Sequence, residues 1–178
     1  MGYRSEVAYM VCFRDEEIDG VNKGKEMFYT FLAEAKSKTE TANCFLEEGK
    51  PFAGFVVDKE KLRFEFYADN AKWYDGYTDV DCHNALVDLA REYVDADNER
   101  VEGINGRLRT EFVTKYGHMS YEDIEKQNIQ RPNYIGEVVG YSFVRIGEED
   151  SDNDCRWGGW EEAIERCSMS RSINFDDH

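Results

Sequence analysis

The sequence is poor in the residues that mark several classes of protein. Only two prolines occur in 178 residues, which argues against a proline-rich linker. No apolar run approaches the ~20 residues of a membrane-spanning helix, and the polar start predicts no signal peptide. Basic residues number 22 against 38 acidic ones, for a formal net charge of −16. This shortage of positive charge disfavours direct binding to nucleic acids or anionic membranes, because both require a basic surface.

Markers of redox chemistry and catalysis are also scarce. The five cysteines are widely spaced and form no CxxC pair, which predicts reduced thiols in a cytoplasmic compartment. The sequence contains no GxSxG, HExxH, P-loop or GxGxxG motif. We therefore predict a protein that is not an enzyme and needs no cofactor. An enzyme that uses His83 would require a pocket joining His83 to Asp79 and a thiol.

What the chain does contain is enough apolar sequence for a folded core. Hydrophobic residues make up 41% of the chain and aromatic residues 14%, and a chain of this length buries roughly 70% of its unfolded surface. We predict one α+β domain over residues 1–178. Alternating apolar positions predict strands, and apolar stripes at helical spacing predict helices. The strands are expected at 4–13, 53–58, 62–67, 137–146 and 167–175, and the helices at 25–37 and 80–94.

This order of elements predicts a particular sheet. The order β-α-β-β-α-β is typical of the split β-α-β, ferredoxin-like arrangement, an antiparallel sheet with two helices on one face. The segment 167–175 would add a C-terminal strand, and 95–133 would be an insert. Within that insert, Gly103 and Gly106 fit a helix poorly, 107–115 could be an extra strand, and Ser120 opens a short helix. Strands 4–13 and 137–146 are apolar on both faces, so both faces should be covered.

The longest strand-like run leads into the densest acidic segment. Its five carboxylates are Glu148, Glu149, Asp150, Asp152 and Asp154. Unpaired charges of this kind are too costly to bury, so the segment should meet solvent, a partner or a ligand. A cation is the alternative ligand, because part of the segment resembles a calcium loop. The weak metal candidates are Asp150, Asp152, Asp154 and Glu161; we predict no metal, because Cys155 stands where the turn glycine belongs.

A second candidate surface precedes the second helix. Trp73, Tyr74 and Tyr77 are flanked by acidic residues, and exposed aromatic side chains are favoured at the centres of interfaces. The alternative is a loop that tucks Trp73 and Tyr77 under the sheet. In that case Thr78 or Asp79 would cap the helix.

Three short motifs carry a family resemblance. They are GYRSEV at residues 2–7, WY and YTDV at 73–80, and FVRIGE at 143–148. Together they resemble a loose group of small bacteriophage-encoded accessory proteins, which begin GYRSEV and carry an RIGE-type strand end followed by acidic residues. The resemblance implies an accessory protein acting in the host cytoplasm, and it transfers no catalytic residues.

These observations predict a function based on charge. We expect a phage accessory protein that binds and modulates a basic host protein, such as a defence or nucleic-acid-processing enzyme. An acidic surface that mimics nucleic acid would supply fast, salt-sensitive association. The candidate partner-binding residues are the five acids at 148–154 together with Trp73, Tyr74 and Tyr77, and 95–102 and 176–177 are further acidic runs. The alternative is a calcium-, cation- or small-molecule-binding domain that uses the 148–161 loop.

Overall fold

The computed structural model describes residues 4–18, 20–40, 56–148, 152–161, 167–169 and 173–175. Within these ranges the chain forms nine strands and three helices. In chain order they are β1 (Ser5–Phe13), β2 (Glu17–Ile18), β3 (Val21–Asn22), α1 (Lys23–Glu40), β4 (Val56–Asp58), β5 (Arg63–Ala71), α2 (Thr78–Tyr116), α3 (Tyr121–Lys126), β6 (Val139–Gly147), β7 (Asn153–Gly159), β8 (Cys167–Met169) and β9 (Ile173–Phe175). No described helix is long and apolar enough to cross a membrane.

Five strands form one antiparallel sheet in the order β4-β5-β1-β6-β7. The first four of these strands have the order expected for a split β-α-β arrangement. In that arrangement α1 connects β1 to β4, and α2 connects β5 to β6. The predicted α+β fold with an antiparallel sheet is therefore confirmed.

The main core lies between one face of the sheet and the two long helices. Alternate residues of β1, such as Tyr9 and Phe13, point to this side and are buried. Phe31 of α1 packs edge-on against Phe64 of β5, with ring centroids 5.5 Å apart. Such pairs add to the burial of the rings themselves. The apolar stripes of the sequence thus hold both helices on the same face.

The second face of the sheet is also covered. Ala8 and Met10 of β1 are fully buried on this side, together with Val144 of β6. Strands β8 and β9 pair with each other and contact β1 from this side, and β8 also contacts β6. The prediction that strands 4–13 and 137–146 are covered on both faces is confirmed.

The added strand is a different segment from the predicted one. β7 extends the sheet beside β6, whereas 167–175 forms the two short strands β8 and β9 and not one strand. Cys167 pairs with Phe175, and Met169 pairs with Ile173. In this register the odd-numbered positions share one face of the hairpin, as they would in a single strand. The alternation of residues in the sequence therefore could not distinguish a hairpin from a single strand.

The insert is mainly a continuation of the second helix. α2 has 39 residues and runs to Tyr116, so the expected end at 94 and the possible strand at 107–115 are wrong. Its N-cap is Tyr77, which makes no side-chain capping bond, and not Thr78 or Asp79. Ser120 does cap α3, because its hydroxyl accepts the backbone N–H of Asp123 at 3.1 Å.

The last part of α2 projects from the sheet. Val101 is the last buried residue of the helix, and we call residues 102–116 the α2 arm. A returning segment is tied to the arm by Asn105, whose side-chain amide donates to the Ile135 carbonyl at 2.9 Å and accepts the Ile135 N–H at 3.0 Å.

Candidate functional site

Arginine side chains compensate part of the negative charge of the acidic segment at 148–154. Arg145 of β6 donates from Nη2 to Asp152 Oδ1 at 2.8 Å, and Arg156 of β7 donates to Asp154 Oδ2 at 2.6 Å. The Asp154 carboxylate raises the pKa of Arg156. Asp154 lies in β7 two residues from Arg156, and Asp152 lies just before β7 beside Arg145 of β6. Neither Asp152 nor Asp154 is the uncompensated charge expected of a solvated loop.

Of the remaining acids in this segment, only Glu148 lies in the described part of the chain. Glu148 is exposed, and its Oε1 accepts the backbone N–H of Arg4 at 3.0 Å. Glu149 and Asp150 lie outside the described residues. The segment therefore does not present its described carboxylates as one open acidic surface.

The same contacts bear on the cation alternative. Among the described residues there is no group of three or more His, Cys, Asp or Glu side chains that could hold a metal ion. Guanidinium groups already occupy the carboxylates of Asp152 and Asp154. Glu161 is exposed, and Asp150 falls outside the described part of the chain.

The three aromatic candidates differ in their exposure and in their contacts. Trp73 is half-buried and packs on the core, with its ring centroid 6.2 Å from Phe66 and 5.7 Å from His83. Tyr77 is 53% exposed, and its ring meets Tyr74 edge-on at 5.7 Å. Tyr77 can therefore contact a partner, whereas Trp73 mainly supports the core.

His83 is a buried core residue. Its Nδ1 lies 2.9 Å from the hydroxyl oxygen of Tyr9, and its ring lies 4.0 Å from that of Phe66. Burial lowers the pKa of His83 to about 4, and the nearby charge of Asp79 opposes that shift. The imidazole is therefore neutral at physiological pH and packed among aromatic rings.

The cysteines differ from the expected pattern. Cys82 is disulfide-bonded, so the prediction of reduced thiols is wrong at this position, and Cys82 supplies no thiol to His83. Cys12 and Cys155 are not in disulfide bonds. Burial and the charge of Asp154 raise the pKa of Cys155, which opposes its use as a nucleophile.

A different acidic surface follows from the length of α2. We call it the α2 stripe, and it consists of Asp81, Asp88, Glu92, Asp95 and Glu99. The spacings of seven, four, three and four residues place these side chains on one helical face. This face is opposite the one that buries Leu86, Ala90 and Val94. At 1.5 Å per residue the stripe is ~27 Å long, and Tyr77 lies at its beginning.

The stripe is only partly compensated by basic residues. Asp88 lies 3.4 Å from Arg91, and Glu92 lies 3.7 Å from Lys38. Exposed pairs of this kind contribute little and still leave the charges in water. Asp95 and Glu99 make no ion pair with any described residue. The face therefore has a net negative charge, with basic residues beside Asp88 and Glu92 in its middle.

Asp97 shows that helical position, not acidic composition, decides which carboxylates are available. It belongs to the acidic run 95–102, yet its residue surface is only 1% exposed. Its Oδ2 accepts the backbone N–H groups of Val138 at 2.6 Å and Val139 at 3.2 Å, and Arg100 lies 2.8 Å from Oδ1. Asp97 fixes the start of β6 to α2 and is not available to a partner.

The helix predicted from the sequence contains only part of the α2 stripe. Its first members fall inside the predicted helix 80–94, whereas Asp95 and Glu99 fall inside the predicted insert. Only a helix that continues past 94 aligns all five carboxylates.

Comparisons with protein-family models, with curated proteins and with solved structures give no significant match for this chain. The similarity to phage accessory proteins therefore stays a prediction.

Proposed function

We propose that this chain is an interaction protein that binds a basic partner through the α2 stripe and imitates part of a nucleic acid. The observation that carries the proposal is the alignment of five carboxylates on one exposed face of one helix. Their mean separation along the axis is ~6.8 Å. Phosphates follow one another every ~3.4 Å along the axis of one DNA strand, so the mean spacing of the stripe is close to that of every second phosphate, while its individual gaps run from ~4.5 to ~10.5 Å.

The helix also makes the stripe rigid. Its opposite face is held in the core by Leu86, Ala90 and Val94, and Asp97 binds the backbone of β6. A partner would therefore not have to order this surface on binding, which removes one of the main costs of association. The charges would speed the encounter and make it sensitive to salt.

Tyr77 can supply the less polar part of the contact. It is exposed at the N-terminal end of the stripe and is supported by the ring of Tyr74. Tyrosine is enriched among the residues that dominate binding energy at interfaces. The proposed surface is thus an aromatic anchor followed by a line of carboxylates.

The proposed partner is a basic host protein, such as a defence or nucleic-acid-processing enzyme, in the host cytoplasm during phage infection. The resemblance noted in the sequence supports this setting. Cys82 is buried and lies off the stripe, so the proposal does not depend on its oxidation state.

A displacement experiment tests the proposal. Basic nucleases and polymerases of a bacterial host would each be loaded with a fluorescent duplex, and the protein would be added at low and at high salt. Wild-type protein should release the duplex from at least one enzyme at low salt and less at high salt. The variant Glu92→Gln/Asp95→Asn/Glu99→Gln should lose this ability.

The control removes the same number of charges elsewhere. The variant Glu111→Gln/Glu122→Gln/Glu125→Gln has the same net charge and leaves the α2 stripe intact, so it should act like wild type. Equal loss in both variants would mean that only net charge matters. The proposal that the α2 stripe is the binding surface would then be wrong. A failure to displace duplex from every enzyme would overturn nucleic-acid mimicry.

A further inference from the structure

The outer face of the α2 arm contains two glycines that the chain itself does not require. Gly103 and Gly106 lie inside a helix, where each glycine costs about 1 kcal/mol relative to alanine. No atom lies within 4 Å of a Cβ built at either position. No close contact within the described chain therefore explains them. They open a shallow groove that is lined by Glu102, Arg107, Thr110 and Glu111.

The charges beside this groove are complementary to the same charges on a second copy of the chain. Glu102 and Arg109 are seven residues apart, so they lie on the same flank of the helix. They are placed on either side of Gly106, and neither forms an ion pair with a described residue. A second helix that runs in the opposite direction across Gly106 would meet an acid and a base in the reverse order.

We propose that a second copy of this chain occupies the groove, with the two α2 arms packed antiparallel about a two-fold axis near Gly106. Glu102 of each copy then lies beside Arg109 of the other, which gives two equivalent ion pairs. A two-fold interface of this kind brings the same surface together from both copies. The glycines allow the two helix backbones to approach more closely than side chains would permit.

The charge along α2 favours another copy over an unrelated helix. In a chain of net charge −16, the α2 arm contains Arg107, Arg109 and Lys115 against Glu102 and Glu111. The arm is therefore locally basic, while the preceding part of the same helix is acidic. Within the overlap, antiparallel pairing places Arg109 of each copy beside Glu102 of the other. It also covers Val113, which is 58% exposed.

The dimer can be tested separately from the proposed function. Pairing about residue 106 overlaps the helices over residues 96–116, so four members of the α2 stripe lie outside the overlap and only Glu99 lies inside it. Self-association can be measured without any partner protein.

Sedimentation equilibrium of the full chain across micromolar concentrations is the test. Wild type should be a dimer in equilibrium with monomer. Glu102→Arg and Arg109→Glu each replace two attractive pairs by two repulsive ones, and each should weaken dimerisation by about tenfold. The double variant Glu102→Arg/Arg109→Glu restores opposite charges and should return to within about threefold of wild type. Glu125→Arg on α3 changes net charge as Glu102→Arg does and should have no effect.

Gly106→Ala should change folding stability and dimerisation in opposite directions. Alanine favours the helix more than glycine does, so the melting temperature should hold or rise while dimerisation weakens. A monomer at every concentration would overturn the proposal. So would a dimer that is insensitive to the arm variants, or single variants that the double variant does not rescue, because a different surface or a different helix would then be involved.

Discussion

Lowering the pH toward 4 should destabilise this protein through His83. The residue is only 8% exposed, its ring packs on Phe66, and its Nδ1 faces the Tyr9 hydroxyl. Burial lowers the pKa of His83 to about 4 in the folded chain, and Asp79 offsets only part of that effect. In the unfolded chain the pKa is ~6.5. The unfolded state therefore takes up a proton first.

The sign and the size of the effect follow from this difference. Because the folded pKa is the lower one, the stability associated with a neutral His83 is fully present above pH ~6.5 and is lost as the pH falls to ~4. A difference of ~2.5 pKa units at 1.36 kcal/mol each gives a loss of about 3 kcal/mol. Below ~4 both states bind the proton and this contribution stops changing. The loss is a large fraction of the 5–15 kcal/mol typical of a domain.

The assay is urea unfolding at a series of pH values for wild type and for His83→Asn. Asparagine cannot titrate, and its amide oxygen can accept the Tyr9 O–H near the position of Nδ1. The variant is expected to be less stable at neutral pH, because it loses the ring contacts. Between pH ~6.5 and ~4, however, wild type should lose about 3 kcal/mol more than the variant. Parallel pH profiles, or an imidazole NMR titration centred near 6.5, would refute the reasoning.

Three further outcomes are expected. Asp97→Ala should lower the free energy of unfolding by about 3 kcal/mol in urea titrations, because it leaves the buried N–H of Val138 without its acceptor; a loss under about 0.5 kcal/mol, as for an ordinary surface change, would contradict the anchoring role. Millimolar calcium should leave the melting temperature unchanged, since Arg145 occupies the Asp152 carboxylate, and a rise that saturates with calcium would revive the cation alternative. Thiol titration of denatured protein should find two fewer thiols before reduction than after it, because Cys82 is disulfide-bonded; equal counts would exclude the bond.

The sheet was predictable because local pattern and tertiary environment agree. β1 and β6 are apolar at consecutive positions, and the structure covers both of their faces. The order of strands and helices then restricts the topology to few choices. The helix α1 was found to within three residues at each end, since its apolar stripe packs on the sheet.

The length of α2 was not predictable in the same way. Gly103 and Gly106 lower the helix propensity of the segment, while the contacts that hold it are distant in sequence. Asp97 binds the start of β6 across 41 residues, and Asn105 binds Ile135 across 30. No pattern within a short window contains such contacts. The candidate site was missed for the same reason, because its alignment depends on the helix that these contacts hold.

The described acids of the 148–154 segment and the α2 stripe show that acids close together in a sequence need not form a strongly negative surface. Where the chain enters β7, Arg145 of the neighbouring strand lies within hydrogen-bonding distance of Asp152, and Arg156 of the same strand lies within hydrogen-bonding distance of Asp154. In α2, by contrast, core residues separate the acids in the sequence. The 3.6-residue period of the helix then places these acids on one face. Charge that is spread along a rigid face and only partly compensated acts on a partner at longer range than charge that is fully paired. The basic partner should therefore be sought with variants of α2 before variants of the segment that is richest in acids.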